Sequence, residues 1–328
     1  MRAIHAPADG AGGALSGHRI EIPPPDIRPY AQGNRGVPYV TTLDSGKPGR
    51  HVMLCALMHG NEICGAVALD HLFRAGVAPA RGQLTLVFAN VDAYRSFDPA
   101  DPTVSRYLDE DMNRVWDAAS LDGKRASSEL RRARALRPIF DSADWLLDLH
   151  SMQYSATPLA LAGTTDKSLA LARRVGLPGL IVRDKGHAAG PRLRDYADFN
   201  VVAAAPTALL VECGQHWEIA TAETAIAVTR RFLAASGILA ADEAARILAE
   251  KVPPQRVIDV TEAVMVTSEN FRFLGDYHGL EIIPKAGTVI ARDGDREIAT
   301  PYDDCVLIMP SRRLSPRQTA VRLGRYAE

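Results

Sequence analysis

The 328-residue chain has no apolar run approaching the roughly 20 residues of a membrane-spanning helix, and its N-terminus, rich in Gly, Pro and Ala, lacks the apolar core of a signal peptide. The expectation is a cytoplasmic protein with no membrane partner. Cysteine is scarce. Cys55, Cys64, Cys213 and Cys305 are scattered, lie mostly in apolar surroundings and form no CxxC pair, which argues against a disulfide framework or a thiolate zinc site. Nor does one charge dominate: 38 Lys and Arg face 39 Asp and Glu, a formal net charge of −1. No global field recruits nucleic acid, and an anionic ligand must find a local group of arginines. Two common motifs are also missing. "GAGGALSG" fails the GxGxxG pattern at Leu15 with no strand before it, and neither GxSxG nor a P-loop occurs, so nucleotide-binding and serine-hydrolase readings have little support.

What is present is an alternation of short apolar runs with amphipathic segments. Residues 1–36 read as an irregular lead-in with one edge strand near His18–Ile22. "VPYVTTLD", "HVMLCAL", "QLTLVFANV", "WLLDLH", "LIV" at 180–182 and "TALLVE" read as strands. Helices are expected after "HVMLCAL", with Ile63, Ala66, Val67 and Phe73 on one face and Gly76 as the stop, and at 127–140, 166–175, 220–235 and 241–250. This predicts an α/β domain over residues 1–252, a mixed sheet with helices on both faces. Pro253 and Pro254 end the last helix, and residues 253–328 read as a small all-β domain of short β-branched segments.

Ligands collect where the carboxyl ends of strands in such sheets run into loops. "LCALMHGNE" delivers His59 and Glu62, "WLLDLH" delivers Asp148 and His150, and "TALLVE" delivers Glu212. His59, Glu62 and His150 make a His2Glu set able to hold one zinc ion with an open position, and Glu212 is left as a spare base. The spacing HxxE is weak alone, since "HGLE" at His278–Glu281 repeats it, without a strand-then-helix context. Gly60 and Asn61 read as the tight turn between the two ligands. Between the strands lies "SRYLDEDMNRVWD", residues 105–117. It reads either as a solvated loop with internal ion pairs or as a source of forked donors, Arg106 and Arg114 with Asn113, for a carboxylate or a developing oxyanion. Asp148, two before His150 on one strand, points to the same side as that histidine, as an orienting carboxylate or a satisfied buried one. Cys213 with His216 lacks the geometry of a thiol nucleophile, whereas His216 is placed to line a pocket; His187 reads as a loop residue.

"HGNE", "SRYLDEDMNR", "DLH" and "VECG", in this order, resemble the succinylglutamate desuccinylase and aspartoacylase family, relatives of the zinc carboxypeptidases. The resemblance is strong over residues 50–215. It implies a carboxypeptidase-like fold with one zinc per chain on His59, Glu62 and His150. It implies Glu212 as the residue that activates water and protonates the leaving nitrogen, and Arg106 as the residue that polarises the scissile carbonyl. Asn113 and Arg114 would hold the carboxylate of a small-molecule substrate. Met112 stands where the family has leucine, a swap of similar volume. The further arginine with which relatives grip an acidic side chain has Arg192 and Arg194 as candidates, against a solvated-loop reading of both. The implied activity is hydrolysis of the amide of a small N-acyl amino acid. Alternatives are a zinc carboxypeptidase acting on peptides and a non-catalytic metal-dependent binding protein, with homo-oligomerisation left open.

Overall fold

In the computed structural model, which describes residues 19–187, 189–312 and 314–327, the apolar runs pair as strands. The order begins β1 (Val40–Asp44), β2 (His51–Ala56), α1 (Cys64–Arg74), β3 (Gln83–Phe88), α2 (Val91–Arg95), α3 (Ala118–Leu121) and α4 (Ser128–Phe140). It continues with β4 (Trp145–Met152), β5 (Leu159–Leu161), α5 (Asp166–Val175), β6 (Leu180–Arg183), β7 (Thr207–Gln215), α6 (Ile219–Ser236) and α7 (Ala241–Ala249). The C-terminal part holds β8 (Arg256–Met265), β9 (Phe271–Phe273), β10 (Ile282–Ile283), β11 (Val289–Asp293), β12 (Arg296–Ala299), β13 (Cys305–Ile308) and β14 (Thr319–Tyr326).

Parallel pairing of β4 with both β2 and β7 brings three strand ends to one rim of the sheet. Strand side chains alternate between faces. Leu54, Leu147, Leu149, Leu209 and Val211 face α1, α5 and α6, while Met53, Cys55, Leu146 and Ala208 face α4 and the segment around Met112. Both faces are therefore covered, as the near-continuous apolar strands require, and the α/β expectation holds. Asp148 and His150 share the parity of Leu146 and so lie on the α4 face.

Two local expectations change. Leu159–Leu161 forms β5, a strand too short and Ala-rich to stand out, running antiparallel to β7 and parallel to β6. Residues 19–22 form no strand, although the Glu21 N–H donates to the Trp217 carbonyl at 3.0 Å; His18 and "GAGGALSG" lie outside the described residues. The C-terminal part is all β from β8 on, as expected, and the sequence left open that four of its strands pair onto the main sheet. β8 pairs in parallel with β6, and β14, β13 and β10 follow, giving eleven strands, while β12, β11 and β9 make a small second sheet. This continuation carries β14 to the cavity beside the strand ends. No helix among the described residues is long and apolar enough to cross a membrane.

The polar segment 105–117 is anchored rather than solvated. Ser127 caps α4 by accepting the Leu130 N–H, and Glu129 in the first turn is fully buried. Its carboxylate accepts the N–H groups of Leu108, Asp109 and Glu110 at 2.8, 3.1 and 3.3 Å and the Asn90 amide at 3.1 Å. A buried carboxylate needs such partners, and these fix the loop that carries Arg106 to Arg114.

Candidate metal centre and its cavity

His59 follows β2 through Leu57, whose φ of 60° lies in the left-handed region a leucine rarely occupies. The chain then turns tightly, with the Glu62 N–H donating to the His59 carbonyl at 3.2 Å. Gly60 serves this turn by close approach. A Cβ there would collide with the Ser105 carbonyl oxygen and with the backbone of Ala93 and Tyr94, and the Gly60 N–H donates to the Arg106 carbonyl at 3.1 Å. Since the neighbours are backbone, Gly60→Ala is expected to lose about 1–3 kcal/mol in denaturant unfolding and to lower metal occupancy. Wild-type stability and occupancy would show that the turn tolerates a methyl group.

His59, Glu62 and His150 are the one group of three or more His, Cys, Asp or Glu among the described residues whose ligand atoms could hold a metal ion, all within 4.8 Å of one another. Glu62 offers one oxygen to each imidazole: Oε1 lies 2.7 Å from His59 Nδ1 and Oε2 lies 2.8 Å from His150 Nδ1. Each far nitrogen meets a carboxylate, His59 Nε2 at 2.9 Å from Asp111 Oδ1 and His150 Nε2 at 2.9 Å from Asp148 Oδ2. Carboxylates in this position orient metal-ligating imidazoles and raise their basicity. The three ligand residues are at most 3 % exposed. Burial alone would raise the Glu62 pKa, but the two imidazoles hold it well below the carboxylate range. Burial would likewise lower that of His150, but Asp148 and Glu62 push it well above the usual histidine value. Buried groups packed this closely need shared protons or a cation, and two imidazoles with one carboxylate suit zinc. The residues fit the ion.

Glu212 stands directly across from His150 in the β4–β7 register. Its Oε2 is buried without a hydrogen-bond partner. Burial, opposed by His150 and Arg106, pushes its pKa up to about 8. Arg106 donates from Nη1 to Glu62 Oε1 and from Nη2 to Asp111 Oδ2, both at 3.1 Å. Asn113 places Nδ2 3.4 Å from His150 Nε2, while its Oδ1 accepts the Leu193 N–H at 2.8 Å. His59, Glu62, Arg106, Asn113, Arg114, His150 and Glu212 all line one cavity of about 410 Å³.

The cavity also has a wall of guanidinium groups. Burial lowers the Arg114 pKa to about 10; Asp111 opposes this, while Arg106, Arg192 and Arg322 add to the lowering. Arg192 and Arg322 share Asp184 Oδ2, at 3.2 and 2.9 Å. The solvated-loop reading of Arg192 and Arg194 does not hold, since both are buried. Of the two, Arg192 lines the cavity, with its Nη2 unpartnered; Arg194 packs against Gly163 and pairs with Asp195 at 2.6 Å. His187 is in a loop, as expected, and lines this wall. Burial and then Arg114, Arg322 and Arg192 push its pKa down to about 3. Arg322 and Asp184 were missed, and nothing local signals them: Arg322 reaches the wall only because β14 pairs with β8. The second HxxE copy behaves differently from the first, because the Glu281 carboxylate accepts the N–H groups of His278 and Gly279 instead of facing an imidazole.

Residues 48–236 match the succinylglutamate desuccinylase/aspartoacylase catalytic domain. A succinylglutamate desuccinylase from Paraburkholderia xenovorans is 26% identical over 296 residues, covering 81% of this chain and 79% of that protein. Mouse aspartoacylase is 27% identical over 121 residues, 34% of this chain and 37% of that one. The crystal structure of a succinylglutamate desuccinylase from Vibrio cholerae superposes with a TM-score of 0.67 at 15% identity, over 88% of this chain and 86% of that one, and so shares the fold. With more than half of its length inside the matched domain, the chain belongs to the succinylglutamate desuccinylase/aspartoacylase family.

Proposed function

We propose that the protein is a zinc-dependent deacylase that hydrolyses the amide of a small, carboxylate-bearing N-acyl amino acid. The observation that carries this reading is the buried, unpartnered Glu212 carboxylate oxygen opposite the His59–Glu62–His150 group, in a cavity walled by arginines. Zinc held by those three ligands supplies Lewis-acid polarisation and water activation. Glu212 takes the proton of the attacking water and returns it to the leaving nitrogen, so that one amide and one water become a carboxylate and an amine. Arg106, fixed between Glu62 and Asp111, offers its guanidinium to the carbonyl oxygen as negative charge develops there. Asn113 and Arg114 hold the carboxylate of the amine half. Arg192 and Arg322 line the same cavity, and an acidic side chain would meet these two.

Hydrolysis of a panel of N-acyl amino acids by zinc-loaded protein tests this reading. Turnover is expected for N-acylated acidic amino acids. Cleavage of C-terminal peptide bonds in preference would replace it with a carboxypeptidase. Arg114→Ala is expected to lower kcat/KM roughly 10- to 100-fold, mainly through KM, because a charge-assisted pair to the substrate carboxylate is lost. An unchanged KM would remove Arg114 from the carboxylate site.

A further inference from the structure

β14 brings Arg322 to the arginine wall and the segment after β6 brings Arg192, so two guanidiniums distant along the chain meet at one carboxylate, that of Asp184. Asp184 directly follows β6 and is buried. Its Oδ1 accepts the Gly186 N–H at 2.7 Å, in a turn where Gly186 takes a φ of 113°, a backbone region that favours glycine. That leaves Oδ2 for both arginines, with Arg192 Nη1 at 3.2 Å and Arg322 Nε at 2.9 Å. Burial would raise the Asp184 pKa, but the two guanidiniums and the Gly186 N–H hold it below the usual carboxylate value.

The two arginines depend on Asp184 unequally. Arg192 has a second carboxylate, with Asp195 Oδ2 2.8 Å from its Nε, and its Nη2 is left buried without a partner. Arg322 pairs with no other acidic side chain among the described residues. Buried like charges that share one oxygen repel each other, and they separate when that oxygen is lost. Asp184 therefore has two opposed effects on an anion in the cavity. Its charge weakens the field of the arginines, and its contacts fix where they stand.

We propose that Asp184 is a positioning residue whose contacts outweigh its charge: it holds Arg192 and Arg322 at the spacing at which one carboxylate of the ligand meets both. That carboxylate is the acidic side chain of the amine half, an identity that rests on the deacylase reading. Asp184 acts through the arginines and touches no reacting atom, so its effect falls on binding rather than on turnover.

In zinc-loaded protein, Asp184→Asn is expected to weaken calorimetric binding of L-aspartate and L-glutamate roughly 10- to 100-fold, and to raise KM for their N-acetyl and N-succinyl derivatives as much, with kcat within about threefold. Binding of L-alanine, which offers the wall no second carboxylate, is expected to stay at the wild-type value. Asp184→Glu keeps the charge but moves it by one methylene, and the same selective loss is expected. Tighter or unchanged binding of the acidic amino acids to Asp184→Asn would show that only the charge acts and would overturn the proposal. So would an equal loss for L-alanine, which marks a general disruption, or a wild type that binds L-alanine as tightly as the acidic amino acids. Should Asp184→Asn fail to fold or to hold zinc, Asp184→Glu decides, and wild-type binding by that variant overturns the positioning role. Selective loss of acidic amino acids in the variants, with no hydrolysis of any derivative by the wild type, would overturn the deacylase reading and leave the role of Asp184 standing.

Discussion

Glu212→Gln is expected to retain zinc and fold while losing turnover by roughly two to four orders of magnitude, the usual contribution of a positioned general base. Glutamine matches glutamate in shape, so the buried position is refilled, but it cannot take a proton from water. The carboxylate it replaces is free to act because Oε2 has no other partner. Near-normal rates with full zinc content would remove Glu212 as the base. A second readout comes from its pKa, which burial raises to about 8 from an ordinary 4.5 in the metal-free protein. A carboxyl whose folded pKa is raised favours the folded state in its protonated form. Its contribution is fully present below about pH 4.5 and is lost as pH rises toward about 8. Metal-free Glu212→Gln, which has no proton to lose, is therefore expected to melt above the metal-free wild type at pH 8, with the difference shrinking toward pH 4.

The second large effect is expected at the ligands. His150→Ala should abolish stoichiometric zinc binding, because only His59 and Glu62 remain and two ligands do not hold the ion at working concentrations. His59→Ala should do the same. Asp148→Asn keeps a hydrogen-bond acceptor near His150 Nε2 but loses the charge behind it, and is expected to weaken zinc binding roughly 10- to 100-fold in chelator competition. Zinc content near one per chain in both histidine variants would sink the ligand set. Because Glu62 and the imidazoles share protons when no metal is bound, zinc uptake should release protons, detectable as buffer-dependent heats in calorimetry.

Much of the centre was legible because its signals are local. His59 and Glu62 follow one apolar strand, and His150 and Glu212 lie near the carboxyl ends of two others, where a covered parallel sheet opens to loops. The i, i+2 spacing placed Asp148 on the same face as His150, and the structure puts its carboxylate on the far imidazole nitrogen. The loop carrying Arg106 and Arg114 was ambiguous. Its composition is that of a solvated charge run, and what distinguishes it is Glu129, well beyond Arg114 in sequence, which gathers three of the loop's N–H groups. Arg192 and Arg194, two apart in one polar stretch, could not be told apart. One ends at the cavity with an unpartnered nitrogen and the other over Gly163, a distinction set by what packs on each side.

The sequence by itself determined the element types, the covered sheet and the residues at three strand ends, because periodicity and end position depend on residues a few places apart. Only the tertiary structure decided that β8 extends the main sheet beside β6, that β14 brings Arg322 to Asp184 and Arg192, and that these arginines line one cavity with Asn61, Ser151 and His216. Strand partners this distant along the chain are selected by the summed burial of whole faces, and no local pattern encodes that sum.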